Sequence, residues 1–355
     1  MNKINRGFIL PSAAFAIKSN QIKFYKYFDK PPEIGDVVYG TIGRIGHHSS
    51  LENASGRIHM IHNGTKAIFV FGNRYAPDHY EGLVPEKMKH EVDLLAQSGM
   101  IGVVKTKNAM VKDPTRVRIL GYVCNEDGSV LNTRCFPLIK PRRSAKNEPR
   151  SRMILVCGTS MNCGKSMAAV ACCWALASMG HGVRASKVTG TASLKDILHI
   201  NDAGANPYAD FTSLGYPSTY LVPPEEVMSI FNRLDLKYAN NPKNYWIVEF
   251  ADGINQRETS ILLSSTDVIS RIHKLIFCSK DAFGALGGLR ILEQRFGLVP
   301  DALSGVCSSS PLHVKELAEF TPIPVFNSAN PDLNQLAEIL LPRERRVFGL
   351  LQSAA

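Results

Sequence analysis

A strand-like segment followed by glycines, a lysine and a serine is the clearest chemical motif in the sequence. It runs from Met153-Ile-Leu-Val-Cys-Gly158 through a polar turn to Gly164-Lys165-Ser166, and an apolar helical stretch follows. Glycines let backbone N–H groups wrap around phosphate oxygens, and a helix N-terminus adds a favourable dipole. In such a motif the lysine binds the β- and γ-phosphates of a nucleotide, and the serine hydroxyl ligates Mg²⁺. The predicted phosphate-binding residues are Gly158, Thr159, Ser160, Asn162, Cys163, Gly164, Lys165, Ser166 and Met167, with Lys165 also predicted to be catalytic.

The spacing within this loop suggests a family. Five residues separate Gly158 from Gly164, one more than in the common phosphate loop. The Gly-Thr-x5-Gly-Lys-Ser pattern resembles the dethiobiotin synthetase and cobyric acid synthase group of P-loop proteins, which belongs to the SIMIBI class. The resemblance continues in order over residues 153–342, through Arg184-Ala-Ser-Lys187-Val-Thr-Gly190 and Tyr245-Trp-Ile-Val-Glu249-Phe-Ala-Asp252-Gly253. It implies a nucleotide cofactor, ATP or alternatively GTP, together with Mg²⁺.

The resemblance also implies roles for residues outside the loop. Lys187 matches the family's substrate-side lysine, which meets the carboxylate or carbamate that attacks the γ-phosphate; the alternative is an exposed surface lysine. Glu249 matches the second acidic metal ligand, since the carboxyl ends of parallel strands line the crevice of such sheets; the alternative is a simple strand-end carboxylate. A further Mg²⁺ contact is expected after the second strand, from Asp196, Asp202 or Asp210. Asp196 and Asp202 are favoured equally.

The sequence also departs from the family pattern. Phe250 and Asp252 replace family glycines, and the segment Gly305-Val-Cys-Ser-Ser-Ser lacks the asparagine expected near the nucleotide base. The choice between ATP and GTP therefore stays open. Thr159 stands where partition and septum-site ATPases of the same class carry a signature lysine, which counts against a sandwich-dimer switch.

Two other groups of polar residues are candidates for a site. Histidines 47, 48, 59 and 62 fall in one short β region, but no carboxylate or cysteine joins them at metal-ligand spacing. They are therefore expected on the surface and not on a metal. Arg257 follows the Glu249 strand and either stabilises a transferring phosphoryl group or pairs with Glu258.

The elements that must position these residues alternate between strand and helix from residue 153 onward. This alternation predicts an α/β P-loop domain with a mostly parallel sheet and helices on both faces. The predicted strands are 153–157, 182–187, 218–222, 245–250, 275–278, 302–306 and 324–326. The predicted helices are 164–179, 224–234, 256–264, 283–296, 312–320 and 331–341.

The first part of the chain has a different texture. Short apolar runs separated by turn residues predict a smaller, mainly-β domain, a barrel or a sandwich, with one helix over 85–97. The predicted division is an N-terminal domain over 1–139, a basic linker over 140–152, a P-loop domain over 153–342 and a tail over 343–355.

Charge and cysteine content bear on partners and compartment. The formal charge is +10, but residues 153–355 are nearly neutral, with 17 Lys and Arg against 18 Asp and Glu. The surplus lies in residues 1–30 and 140–152, without the interleaved aromatics of a base-stacking surface; a nucleic-acid partner is therefore possible but disfavoured. The eight cysteines form no CxxC pair, which is typical of buried thiols in a reducing cytoplasm. No apolar run approaches the roughly 20 residues of a membrane span, so no membrane partner is expected.

Together these features predict a cytoplasmic, Mg²⁺-nucleotide-dependent enzyme that activates a small carboxylate or carbamate by γ-phosphoryl transfer, as a ligase or kinase. The small-molecule substrate is a carboxylate or an amine, and a homo-oligomer is expected. The rival hypothesis is an NTPase switch or regulator whose β domain and basic segments bind a protein or nucleic acid.

Overall fold

The computed structural model describes residues 1–5, 7–140 and 149–342. The predicted tail 343–355 and most of the predicted linker, residues 141–148, lie outside the described residues. No helix in the described ranges is both long enough and apolar enough to cross a membrane.

The N-terminal half is built from strands. In chain order they are β1 (Asn2–Lys3), β2 (Phe24–Lys26), β3 (Val37–Ile42), β4 (Ser50–Glu52), β5 (Ile58–Met60), β6 (Lys66–Phe71), β7 (Tyr80–Leu83), β8 (Glu91–Leu94), β9 (Met100–Lys107) and β10 (Arg116–Cys124). Short 3-10 turns lie at Ser12–Ala14, Ser19–Gln21 and Thr133–Cys135.

Five of these strands form a closed barrel. The strand β10 pairs with β3, β3 with β6, β6 with β9, and β8 joins β9 back to β10. Apolar side chains such as Phe69, Phe71 and Ile101 fill the interior, because alternate residues of each strand point inward. Of the two predicted β architectures, the structure has the barrel.

The predicted helix over 85–97 is wrong. Residues 91–94 form β8, whose Val92 pairs with Val117 of β10 and whose Leu94 pairs with Ile101 of β9. The barrel needs this strand to close, so tertiary pairing overrides the local helical pattern.

The C-terminal half contains a parallel sheet. Its strands are β11 (Arg152–Gly158), β12 (Val183–Lys187), β13 (Tyr208–Asp210), β14 (Tyr245–Glu249), β15 (Ile272–Cys278) and β16 (Ala302–Ser304). The order across the sheet is β13-β12-β14-β11-β15-β16, and all neighbours are parallel. All six strands therefore end at one edge, as the predicted P-loop fold requires.

Helices cover the sheet. They are α1 (Lys165–Ser178), α2 (Leu194–Asp202), α3 (Pro224–Tyr238), α4 (Arg257–Leu263), α5 (Thr266–Ile269), α6 (Ala282–Phe296), α7 (Pro311–Phe320) and α8 (Leu333–Leu340). Two apolar cores result, one containing Trp246 and Phe277 and the other Ile154 and Phe326. The α/β fold class is thus confirmed.

Some predicted elements differ from the structure. No strand forms over 218–222, where Ser218 makes only an isolated bridge to Thr191. The edge strand is instead β13, and the helix α2 stands where the sequence analysis assigned none. Both lie between β12 and α3, in the segment that carries the candidate acidic residues.

Candidate functional site

The loop between β11 and α1 is tightly folded. Gly164 has φ 97°, and a Cβ there would lie 2.7 Å from the Cα of Gly305. A Cβ on Gly158 would lie 2.5 Å from the Sγ of Cys163 and 2.6 Å from the carbonyl oxygen of Cys278. The loop can approach its neighbours this closely only with glycine at these positions. It therefore has the strand–loop–helix geometry of a phosphate loop.

Lys165 lies inside the loop. Its Nζ donates a hydrogen bond to the carbonyl oxygen of Ser160 at 2.7 Å, and the residue is buried. Ser166 follows in the first turn of α1, with its Oγ 3.3 Å from Oε1 of Glu249. The two polar residues predicted to bind phosphate and metal thus lie side by side at the helix N-terminus.

Glu249 ends β14, the strand beside β11, and is only 2% exposed. Its Oε1 also lies 3.3 Å from Nζ of Lys187. Its Oε2 is buried and has no hydrogen-bond partner among the residues that the structure describes. A buried carboxylate oxygen without a partner is costly, so this atom is available for a cation.

Lys187 and Asp196 form an ion pair beside Glu249. Lys187 ends β12, and its Nζ lies 2.5 Å from Oδ2 of Asp196 in the first turn of α2. Although burial favours the neutral amine, Asp196 and Glu249 raise the pKa of Lys187 above its usual range. Burial opposes ionisation of Asp196 too, but Lys187 holds the pKa of that carboxyl below its usual range. Lys187 is therefore a charged, buried residue and not the exposed surface lysine of the alternative hypothesis.

Asp252 follows β14 on a strained stretch of backbone, with φ 60°. Burial raises the pKa of Asp252 to about 6, although Lys165, Lys187 and Arg74 act in the opposite direction. The next segment packs on the phosphate loop, since the N–H of Ile254 donates to the carbonyl of Gly158 at 2.9 Å. Asp252 therefore puts a carboxyl beside the loop.

The N-terminal half contacts this region through Glu52 of β4, which pairs with β5 in a two-stranded sheet beside the barrel. The Oε2 of Glu52 accepts from the N–H of Leu194 and its Oε1 from the N–H of Lys195, both at 2.9 Å. Ser193, the N-cap residue of α2, makes no side-chain cap of its own. A carboxylate from the N-terminal half thus caps the helix that carries Asp196.

A second contact joins the barrel to the phosphate loop itself. The Nδ2 of Asn162 donates to Oδ2 of Asp78 at 2.8 Å, and Lys280 pairs with the same oxygen at 3.3 Å.

Between the two halves lies a cavity of about 710 Å³. One wall carries Lys165, Ser166, Lys187, Asp196, Glu249 and Asp252. The opposite wall belongs to the barrel and carries His47, His48, Arg74 and His79. Parallel-sheet proteins bind ligands at the carboxyl ends of their strands, so this cavity is the candidate functional site.

Other predicted residues lie elsewhere. Asp202 is exposed at the end of α2 and does not line the interdomain cavity, so its metal role gains no support from the placement. It borders a second cavity of about 490 Å³, with Trp174, Asn330 and Met167 of the phosphate loop. Asp210 is buried in a hydrogen bond with Thr212.

Arg257 also lies outside the interdomain cavity. It pairs with Glu258 at 2.6 Å and donates to the carbonyl of Val222 at 2.8 Å, which supports the pairing alternative.

Two residues of the barrel wall, Arg74 and His79, are not predicted from the sequence. Arg74 and His79 join His47 and His48, whereas His59 and His62 do not line the cavity. The expectation of surface histidines is wrong for His48, which is 7% exposed. Within the described ranges, no group of three or more His, Cys, Asp or Glu side chains has the geometry to hold a metal ion. The adjacent His47-His48 pair was the only local signal of this wall.

No protein-family model matches the chain, and no curated protein sequence matches it. Among solved structures, it is similar to the signal recognition particle receptor FtsY from Elizabethkingia anophelis, with 13% identity and a TM-score of 0.36 over 56% of this chain. The alignment spans 65% of the length of that receptor chain. The same receptor in complex with GDP gives 11% identity and a TM-score of 0.35, over 59% of this chain and 70% of the receptor. Similarity at this level assigns no activity to the chain.

Proposed function

We propose that the protein is a Mg²⁺-nucleotide-dependent enzyme that transfers a γ-phosphoryl group to a small carboxylate or carbamate, as a ligase or kinase. The observation that carries the proposal is the interdomain cavity of about 710 Å³, in which a phosphate loop and the ion pair between the buried Lys187 and Asp196 lie side by side on one wall. A cavity of this size suits a small ligand beside a nucleotide's phosphates.

Lys165 and the loop bind the nucleotide phosphates in this proposal. The ammonium of Lys165 donates a hydrogen bond to the Ser160 carbonyl. A phosphate oxygen can replace that carbonyl as a charged, stronger acceptor. Met167 borders both the interdomain cavity and the second one. A nucleotide with its phosphates in the first cavity therefore has the second one open to its base, whether adenine or guanine.

Mg²⁺ fits the oxygen atoms beside the loop. Ser166 Oγ and the unpartnered Oε2 of Glu249 are the hard oxygen ligands that this ion prefers, with phosphate and water completing its shell. When bound, the ion neutralises charge on the transferring phosphoryl group.

Lys187 orients the acceptor in this proposal. Its charge is fixed by Asp196 and Glu249, and its side chain lines the cavity beside the phosphate loop. A cation held at that point attracts an attacking carboxylate or carbamate and shields its charge from the phosphates.

An NTPase switch is the second candidate, and one contact favours it. Asn162 of the phosphate loop is hydrogen-bonded to Asp78 of the barrel, so a change of nucleotide state has a direct route to the barrel. In a switch, turnover responds to a macromolecular partner and not to a small acceptor.

The deciding experiment measures ATP and GTP turnover with Mg²⁺ across small carboxylates and amines, and separately with DNA and RNA. Stimulation by a small acceptor, with a phosphorylated or ligated product, is the expected result. Strong stimulation by nucleic acid and none by any small acceptor contradicts the proposal and favours the switch.

A further inference from the structure

The barrel wall of the cavity contains a buried cation without a counterion. Arg74 is 6% exposed. Its Nη1 donates to the carbonyl of Leu95 and lies 3.0 Å from Nε2 of His48, while its Cζ lies 5.6 Å from the ring centroid of Tyr80. Within the described part of the chain, no carboxylate forms an ion pair with it, and its buried Nε has no hydrogen-bond partner.

An unpaired buried charge is among the most expensive features a fold can contain. Burial lowers the pKa of Arg74 only to about 10, so the guanidinium remains charged at neutral pH. Glu52 lines the same cavity, but its two oxygens accept from Leu194, Lys195 and Ser12. Asp252 interacts electrostatically with Arg74 but, among the described residues, makes no ion pair with it. The charge of Arg74 is therefore available to an anion from outside the protein.

The histidines around Arg74 are suited to the same ligand. Burial, with Arg74 nearby, lowers the pKa of His48 to about 3 and that of His79 to about 4, and lowers the pKa of His47 too. His47 Nε2 lies 2.8 Å from His79 Nδ1, so one of these neutral rings donates to the other. Neutral imidazoles offer hydrogen bonds without adding charge. Among the described residues of the barrel wall, the guanidinium then supplies the full charge that meets the anion.

We infer that Arg74, with His48 and His79 beside it, binds a carboxylate of the acceptor that is remote from the phosphoryl-accepting group. This inference rests on the proposed function, because it assumes that the accepting group lies at Lys187 on the opposite wall. It narrows the substrate class to small molecules that carry a second carboxylate, such as dicarboxylates or amino acid derivatives. Arginine suits this role because its planar fork matches a carboxylate.

The test measures binding of malonate, succinate, glutarate and adipate to the full-length protein without nucleotide, by calorimetry, against the matched monocarboxylates. At least one dicarboxylate is expected to bind about 10-fold or more tightly than its monocarboxylate. Arg74→Gln removes this preference, and Arg74→Lys restores part of it. Arg44→Gln, which removes an exposed arginine of the same barrel, leaves the preference intact.

Arg74→Met separates ligand binding from a structural role. His48 Nε2 lies 3.1 Å from the Leu95 carbonyl and keeps that acceptor satisfied when the guanidinium is gone. Because the change removes an unpaired buried charge, the thermal midpoint without ligand is expected to stay the same or rise, while the rise induced by a dicarboxylate disappears. A large fall in the ligand-free midpoint indicates a structural residue and overturns the inference.

Other outcomes also decide the matter. The inference fails if no dicarboxylate binds more tightly than its monocarboxylate, or if Arg74→Gln weakens only the binding of nucleoside triphosphate, which places a γ-phosphate at this wall. It fails alone, and the proposed function stands, if Arg74→Gln transfers phosphoryl groups with an unchanged KM for the acceptor. If dicarboxylates bind through Arg74 but no phosphoryl group is transferred, the anion site stands and the proposed function fails.

Discussion

On the parallel-sheet side of the cavity, Lys165 donates to a loop carbonyl and Lys187 pairs with two carboxylates. On the barrel side, the polar and aromatic partners of Arg74 among the described residues are a carbonyl, an imidazole and an aromatic ring. On the sheet wall the lysines have partners, and among the described residues the unpartnered Oε2 of Glu249 is the atom suited to bind a cation. On the barrel wall the unpaired guanidinium of Arg74 is suited to bind an anion. Under the proposed function, the sheet wall would bind metal and phosphate and the barrel wall would select the acceptor.

The largest expected effect on the sheet wall comes from Lys165→Ala. It removes the charge that meets the β- and γ-phosphates, so kcat for nucleotide turnover should fall about 100- to 1,000-fold. Steady-state turnover with Mg²⁺ measures the effect, and Lys315→Ala, on the exposed surface of α7, is the matched control. Full nucleotide affinity and turnover in Lys165→Ala would contradict the assignment of this loop as the phosphate-binding part of the sheet wall.

Glu249→Gln sharpens the assignment of the metal. Replacing the unpartnered oxygen by an amide should raise the Mg²⁺ concentration for half-maximal turnover about 10- to 100-fold. A Mg²⁺ titration measures this shift, with the exposed Glu225→Gln as control. If Asp196→Asn produces the larger shift, Asp196 of the Lys187–Asp196 pair, and not Glu249, is the main metal ligand on the sheet wall.

Asp252→Asn tests the charge that faces Arg74 from the sheet side. Because burial raises the pKa of Asp252 to about 6, the folded protein binds a proton there that the unfolded chain has lost. This group therefore makes the free energy of unfolding fall as the pH rises from about 4 to 7, by about 2 kcal/mol, with no further change above. Urea unfolding at several pH values should show a flatter profile in Asp252→Asn, and an unchanged one in the exposed Asp127→Asn. Equal slopes in Asp252→Asn and the wild type would mean that the carboxyl is not desolvated.

The smallest expected effect is that of Glu52→Gln, which weakens the link between the walls. Loss of the charge at the N-terminus of α2 should lower the free energy of unfolding by about 1 kcal/mol. Amide hydrogen exchange at Leu194 and Lys195 should become faster. The same substitution at Glu126, whose ion pair with Lys23 is exposed, should change neither. Unchanged exchange in Glu52→Gln would show that α2 does not depend on the N-terminal half.

The sequence was informative wherever structure is local. The strand, glycines and helix of the phosphate loop are consecutive, so β11 and α1 were predictable, and parallel strand ends brought Lys187 and Glu249 to the same edge. The helix α2 was not predictable, because its cap comes from Glu52, 142 positions earlier. Nothing near Arg74 in the chain signals that it faces a phosphate loop, and the helix over 85–97 failed because β8 is fixed by its partners in the barrel.

The Glu52 cap also bears on the order in which the protein is made. The barrel is synthesised first and can close before the sheet exists, since its pairings lie within the first 124 residues. The first turn of α2, with Asp196, finds its capping carboxylate only when the two halves dock. Contacts so distant along the chain form late, because loop closure precedes them. The Lys187–Asp196 ion pair should therefore form at the end of folding.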